Sequence, residues 1–219
     1  MYLGVDTSTK CGSVALVDDK RIMGEFKSNG SKFFSRSLLE MIDKLLSRNG
    51  LELEELSGLS ITLGPGSFTG IRVGLATIQG IAISKKIPIF GVSSLEAMSR
   101  CAKHKDKLLQ PMLDARKDCV YFAGFDYANG TLKRRTEDSV APINEALERE
   151  PENTVFFGDG AELHEEAILA VGGVFVRDAY DYSIAAGAAI SAQEKNDPRK
   201  KVGAECLKPN YIRRSPAEN

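Results

Sequence analysis

Tyr2-Leu3-Gly4-Val5-Asp6-Thr7-Ser8-Thr9, followed by Ser13-Val14-Ala15-Leu16-Val17, is the stretch whose reading decides the fold. Tyr2–Val5 reads as an apolar strand and Ser13–Val17 as an alternating one. A carboxylate and three small hydroxyl residues stand between them. Asp18-Asp19-Lys20 is a tight polar turn and Arg21–Phe26 reads as a third strand, so the chain opens as an antiparallel meander. Asp6 sits at the mouth of the first hairpin, where Thr7, Ser8 and Thr9 suit a ligand's phosphates or a metal bound to them. A plain polar β-turn is the equal alternative, because short hydroxyl turns are common.

Outward from the meander, Phe34, Leu38, Ile42 and Leu45 recur at helical spacing, with Leu39, Met41 and Leu46 widening the stripe and Gly50 as the stop. Leu59–Leu63 reads as a short buried strand, Gly64–Thr69 as a loop, Ile71–Ser84 as a helix and Ile87–Val92 as a strand. Ser93 and Glu96 form a capping box for a helix to about Lys103. The first half is therefore βββαβαβα. The second half begins again with strands at Leu108–Leu113 and Cys119–Phe125, and Asn129-Gly130 signals a hairpin into Thr131–Arg134. Helices near Ile143–Arg149, Glu162–Ala170 and Ile184–Glu194 alternate with strands at Val155–Phe157 and Val174–Val176. The order echoes the first half. These patterns predict an α/β chain of two related lobes, residues 1–103 and 107–197, joined through Lys103–Lys107. A basic tail over residues 198–219 carries six basic and two acidic side chains.

At 219 residues with 42% apolar content, the chain has enough material for a buried core. A net charge of −1 gives no overall pull toward nucleic acid or membrane. No stretch nears the ~20 apolar residues of a membrane span. The N-terminus lacks a basic stretch, and Asp6 interrupts the first apolar run, so no secretory signal is expected. Cys11, Cys101, Cys119 and Cys206 form no Cys-x-x-Cys pair, so free thiols, no zinc site and a reduced, cytoplasmic location are expected. His104 lies between lysines and His164 beside two glutamates, so both read as solvated.

The second informative stretch is Gly64-Pro65-Gly66-Ser67-Phe68-Thr69-Gly70-Ile71-Arg72-Val73-Gly74. It would offer N–H groups to an anion at a helix start. It is not a P-loop, because Ile71-Arg72 stand where Lys and then Ser or Thr belong. The plainer reading is a tight turn in which Ser67 or Thr69 caps the helix. In that helix Ile71, Leu75, Ile78 and Ala82 share a bulky face. Val73, Ala76 and Gly80 share a small one, flanked by Arg72 and Gln79 and by Thr77 and Ser84. Two glycines inside a helix cost ~1 kcal/mol each relative to alanine, so the small face is expected to pack on something. The Phe34–Leu45 helix and a partner helix are both candidates. Gly158-Asp159-Gly160 reads as a strand-to-helix turn.

These motifs together resemble the TsaB (YeaZ-type, glycoprotease-like) family. The resemblance rests on Gly4–Thr9, Ser13–Leu16, Leu38–Leu46, Gly64–Gly74, Ile87–Ala97 and Pro209-Asn210-Tyr211-Ile212-Arg213. It is dense over residues 1–97, thin over 108–197 and returns at the tail. It implies an actin/heat-shock-chaperone/sugar-kinase-like (ribonuclease H-like) fold with two related βββαβα lobes. It also implies a non-catalytic scaffold role without a cofactor. TsaB-like subunits bind the catalytic subunit TsaD, with the ATPase TsaE, in transferring a threonylcarbamoyl group to N6 of adenosine 37 of tRNA. Phe34, Leu38, Met41, Ile42, Leu45, Val73, Ala76 and Gly80 would form the partner interface, or a homodimer contact in isolation. The resemblance makes Asp6–Thr9 a vestigial nucleotide loop and Gly64, Gly66, Ser67, Thr69, Gly70 and Arg72 the helix-start loop. It implies that tRNA is reached only through the complex. Catalytic relatives carry His-x-x-x-His on the helix after the third strand. Phe33-Phe34-Ser35-Arg36-Ser37-Leu38 has no histidine, not even the one that TsaB-like proteins commonly show near Phe34. Two rival readings, a small-molecule kinase or ATPase using Asp6, Thr7 and Thr9 and a metallopeptidase, lack a second long glycine loop and metal ligands respectively.

Overall fold

The computed structural model describes residues 1–28, 35–148, 151–195 and 203–212, without the side chains of residues 35 and 36. The first half runs β1 (Tyr2–Asp6), β2 (Ser13–Asp18), β3 (Arg21–Lys27), α1 (Ser35–Arg48), β4 (Gly58–Thr62), α2 (Phe68–Lys85), β5 (Ile89–Val92) and α3 (Ser94–Arg100). The second runs β6 (Leu108–Asp114), β7 (Cys119–Phe122), β8 (Phe125–Ala128), β9 (Thr131–Arg134), β10 (Ser139–Pro142), α4 (Ile143–Ala146), β11 (Thr154–Phe157), α5 (Asp159–Leu163), α6 (Glu165–Ala170), β12 (Val174–Phe175) and α7 (Ile184–Glu194).

Two compact units result: Met1–Ala97 with Tyr182–Asn210, and Met98–Asp181 with the described residues from Tyr211. The first unit holds a sheet in the order β3-β2-β1-β4-β5. β1 is antiparallel to β2 and parallel to β4, and β4 is parallel to β5. Successive side chains on a strand point to opposite faces, so one strand feeds two cores. Leu3, Val5, Val14, Leu16, Leu59 and Ile61 pack with Leu38, Ile42 and Leu45 of α1 and with Leu75 and Ile78 of α2. Tyr2, Ala15 and Val17 pack on the other side with Ala185, Ala186, Ala189 and Ala192 of α7.

The sequence places α7 in a lobe of residues 107–197, and the structure corrects this. α7 is apolar or small on every side, so no face marks its partner, and such a helix must be buried. It lies on β1, β2 and β4 of the first unit. Gly4 permits this, since a Cβ there would overlap the carbonyl of Ala185. The second boundary also moves, because the compact units divide within α3 rather than in the Lys103–Lys107 turn.

The second unit repeats the topology, with a sheet in the order β10-β7-β6-β11-β12. Met112, Val120, Ile143, Phe156 and Ile168 form its core. The added hairpin β8–β9 turns at Asn129 and Gly130, both at positive φ (51° and 73°), as the Asn-Gly pair predicts. Three elements differ from the pattern-based reading. The expected strand Cys119–Phe125 breaks before Phe125, whose register now opposes Arg134. The strand β10 escapes a pattern reading because it is short and ends in Pro142. The expected helix over 162–170 is two helices, divided at His164. Among the described residues no helix is long and apolar enough to cross a membrane.

Candidate functional site

The parallel pairing of β1 with β4 sets Val5 opposite Ile61, which brings the next residues, Asp6 and Thr62, together. Asp6 is fully buried. Its Oδ1 accepts from the Ser8 N–H (3.0 Å), Ser8 Oγ (2.6 Å) and Thr62 Oγ1 (2.7 Å). Its Oδ2 accepts from Thr9 Oγ1 at 3.2 Å. Burial pushes the carboxyl pKa up, and the hydrogen bonds from Ser8, Thr62 and Thr9 offset part of that rise. The Ser8 and Thr9 hydroxyls of this turn are thus directed inward at one carboxylate, while the buried Thr7 hydroxyl makes no hydrogen bond among the described residues.

The helix-start loop lies directly against that turn. The Ser67 N–H donates to the Ser8 carbonyl at 2.7 Å. A Cβ on Gly66 would overlap the Ser8 carbonyl, one on Gly70 the Thr7 carbonyl, and one on Gly74 the Thr7 Oγ1. The glycines therefore serve close approach between two stretches of the same chain. Ser67 caps α2, its side chain accepting from the Gly70 N–H at 3.2 Å, a contact worth about 1 kcal/mol. Two of the N–H groups in this loop are thus engaged within the chain, that of Ser67 on the Ser8 carbonyl and that of Gly70 on the Ser67 side chain, and Ser67 rather than Thr69 is the cap. Thr69 and Arg72 are exposed. In the second unit Gly158-Asp159-Gly160 is a strand-to-helix turn. Gly158 has φ 99°, and Asp159 Oδ1 accepts from the Asp114 N–H at 3.1 Å. Among the described residues no three His, Cys, Asp or Glu side chains stand together as a metal site.

The residues expected to bind a partner divide sharply. Leu38, Ile42 and Leu45 belong to the core of their own unit and offer no surface. Met41 is half-buried against the same core. Phe34 lies outside the described residues. On α2 the two faces follow the helical wheel: Ile71, Gly74, Leu75, Ile78 and Ala82 are buried, Ala76 and Gly80 are exposed, and Val73 is intermediate. A Cβ on Gly80 would meet nothing within 4 Å, so its own chain gives that glycine no packing role. Sequence reasoning passed over two exposed apolar side chains: Ile83 of α2 is 59% exposed and Leu39 of α1 is 48% exposed. The signal for Ile83 was present, since it stands three and seven residues after Gly80 and Ala76 and so shares their face.

A further element sits at the edge of this face. Ala204 and Leu207 pack on the α1–α2 core. Gln79 Nε2 donates to the carbonyls of Ala204 (2.6 Å) and Leu207 (3.2 Å), and the Asn210 N–H donates to the Leu63 carbonyl at 2.7 Å. This part of the expected basic tail docks on the first unit. Arg199, Lys200, Lys201, Arg213 and Arg214 lie outside the described residues.

The family model described as tRNA N6-adenosine threonylcarbamoyltransferase (TsaD) matches residues 28–218. The tRNA threonylcarbamoyladenosine biosynthesis protein TsaB of Bacillus subtilis is 31% identical over 169 residues, 76% of this chain and 74% of that protein. The TsaB protein of Haemophilus influenzae is 37% identical over 125 residues, 55% of this chain and 52% of that protein. Among solved structures, a Pseudomonas aeruginosa protein described as similar to peptidase YeaZ superposes with a TM-score of 0.81 at 23% identity, covering 97% of this chain and 99% of that one. A ROK hexokinase from Thermus thermophilus superposes with a TM-score of 0.51 at 14% identity, covering 89% and 98%. These last two likenesses are of fold alone.

Proposed function

This chain belongs to the TsaB (YeaZ-like) family of tRNA threonylcarbamoyladenosine biosynthesis, and on that premise we propose that it is a non-catalytic scaffold. It takes part in forming threonylcarbamoyladenosine in tRNA by holding the catalytic TsaD subunit, together with the ATPase TsaE. The observation that carries this reading is the outer face of α2. Val73, Ala76 and Gly80 form a small-residue stripe ending at the exposed Ile83, on a helix anchored by a bulky opposite face. Small side chains let a second helix approach closely, and Ile83 and Leu39 supply apolar anchors at the edges. The interface proposed from Leu38, Ile42 and Leu45 is replaced by this outward-facing set. Without TsaD, the same stripe accepts a second copy of this chain. Transfer RNA is reached through the complex, in a reduced, cytoplasmic setting.

The rival reading, a kinase or ATPase, needs Asp6 to reach a metal-bound nucleotide. Asp6 is buried, and both its oxygens accept from Ser8, Thr9 and Thr62. The test is reconstitution of threonylcarbamoyl transfer from its adenylate to tRNA with TsaD, TsaE and this chain. Transfer should require TsaD and fall when this chain is left out. The isolated chain should neither modify tRNA nor hydrolyse ATP. Turnover by the chain alone, abolished by Asp6→Asn, would refute the scaffold role.

A further inference from the structure

We infer that the segment Gly203–Asn210 is a positioning strap for the partner-binding face of α2, so that strap docking and partner binding are coupled. The inference rests on the reading of α2 as that face. The strap grips α2 at two places. In its fourth turn, Gln79 Nε2 donates to the carbonyls of Ala204 and Leu207, at 2.6 and 3.2 Å. Ahead of its first turn, the Asn210 N–H donates to the Leu63 carbonyl at 2.7 Å, and the Asn210 carbonyl oxygen lies 3.0 Å from where a Cβ of Gly64 would be. Leu63 and Gly64 open the loop that ends at the cap Ser67. The segment thus reaches both the body of the helix and the loop that starts it.

The strap also completes the flanks of α2. α1 covers β2 and β3, while α2 lies over β4 and β5. Leu207 packs beside Gly91 of β5, where a Cβ would stand 3.2 Å from its Cδ2. α1 therefore lies on one side of α2 and the strap on the other, and the stripe from Val73 to Ile83 is left facing outward between them. The bonds to the strap are made by Gln79, which sits directly before Gly80 of that stripe. A shift of the strap pulls on Gln79 and so on its neighbour Gly80, and close helix crossings tolerate little displacement. Anything that binds only the strapped arrangement stabilises it, and the strap in turn raises the affinity of that partner by the same factor.

The experiment uses the full chain and measures its affinity for TsaD by calorimetry. Hydrogen exchange at Asn210 and over residues 76–85 reports strap release. Gln79→Ala removes both donors, and Leu207→Asp puts a carboxylate against the core. Both should leave the circular dichroism of the chain intact, deprotect Asn210 and weaken TsaD binding by about tenfold or more. Gln79→Lys restores a donor and should bind within about twofold of the parent. Binding TsaD should also raise the protection of Asn210 in the parent. Strap release with unchanged TsaD affinity would overturn the inference. If Leu207→Asp fails to fold, Gln79→Ala and Gln79→Lys decide the matter alone. Ala76→Arg separates the two readings. If it abolishes binding while the strap variants do not weaken it, the coupling alone is wrong. If it leaves binding intact, TsaD docks elsewhere and both readings fall.

Discussion

Asp6 is buried, yet Ser8, Thr9 and Thr62 direct hydrogen bonds at both of its oxygens. Burial still wins, and its pKa is raised from the ordinary 3.8. The folded chain therefore keeps the proton over a range in which the unfolded chain has lost it. The stability tied to this group is full at pH below 3.8 and declines as pH rises through the folded value. Asp6→Asn does not titrate, so urea midpoints measured from about pH 4 to about pH 8 should move in the variant's favour relative to the parent as pH rises. A gap constant with pH would show that Asp6 does not hold its proton in the folded chain. The two helical glycines predict opposite outcomes. Gly74→Ala would overlap Thr7 Oγ1 and should destabilise the chain by roughly 1–3 kcal/mol. Gly80→Ala meets nothing and should stabilise the isolated chain by about 1 kcal/mol, while weakening TsaD binding if the partner helix crosses there. Thermal unfolding with a binding titration reads both. At this scale the sequence shows Asp6 and its hydroxyl turn but not their purpose. Whether Thr7, Ser8 and Thr9 face a ligand or their own chain depends on Thr62 and Gly66, which lie more than fifty residues away.

At the level of elements, period is what makes structure readable. The order βββαβαβα is legible because β1 is a short apolar run, β2 reads as alternating, and α1 and α2 each carry one bulky face. The same logic misleads at α1, where a strong apolar stripe marks Leu38, Ile42 and Leu45 as contact residues without saying that the contact is with their own sheet. α2 is more informative because it has two distinct apolar faces, and one sheet buries only one of them. α7 is the reverse case. Its alanines and Gly187 leave no face to read, so its place on β1 depends on Gly4, far away in sequence and informative only once the strands are laid out. The strap is hidden for a related reason. Its bonds run from Gln79 to backbone carbonyls, and carbonyls leave no mark in a sequence.

Across the whole molecule, the topology is a duplication in which the two units keep the same strand order while their loops diverge. The first unit directs the Ser8 and Thr9 hydroxyls of its turn at Asp6 and shows a helix face outward, and this division of labour is the basis of the scaffold reading. That reading turns on a contact between the outer face of α2 and TsaD. The direct test pairs Ala76→Arg with Leu75→Arg and follows each by circular dichroism and by size-exclusion chromatography with TsaD. Leu75 is 5% exposed in the core, so its replacement puts an unpaired charge inside and should unfold the first unit. Ala76 is exposed, so arginine there is solvated in the free chain and buried unpaired only in the complex. The account predicts that Ala76→Arg stays folded and no longer co-elutes with TsaD. A folded Ala76→Arg chain that still co-elutes with TsaD would contradict it.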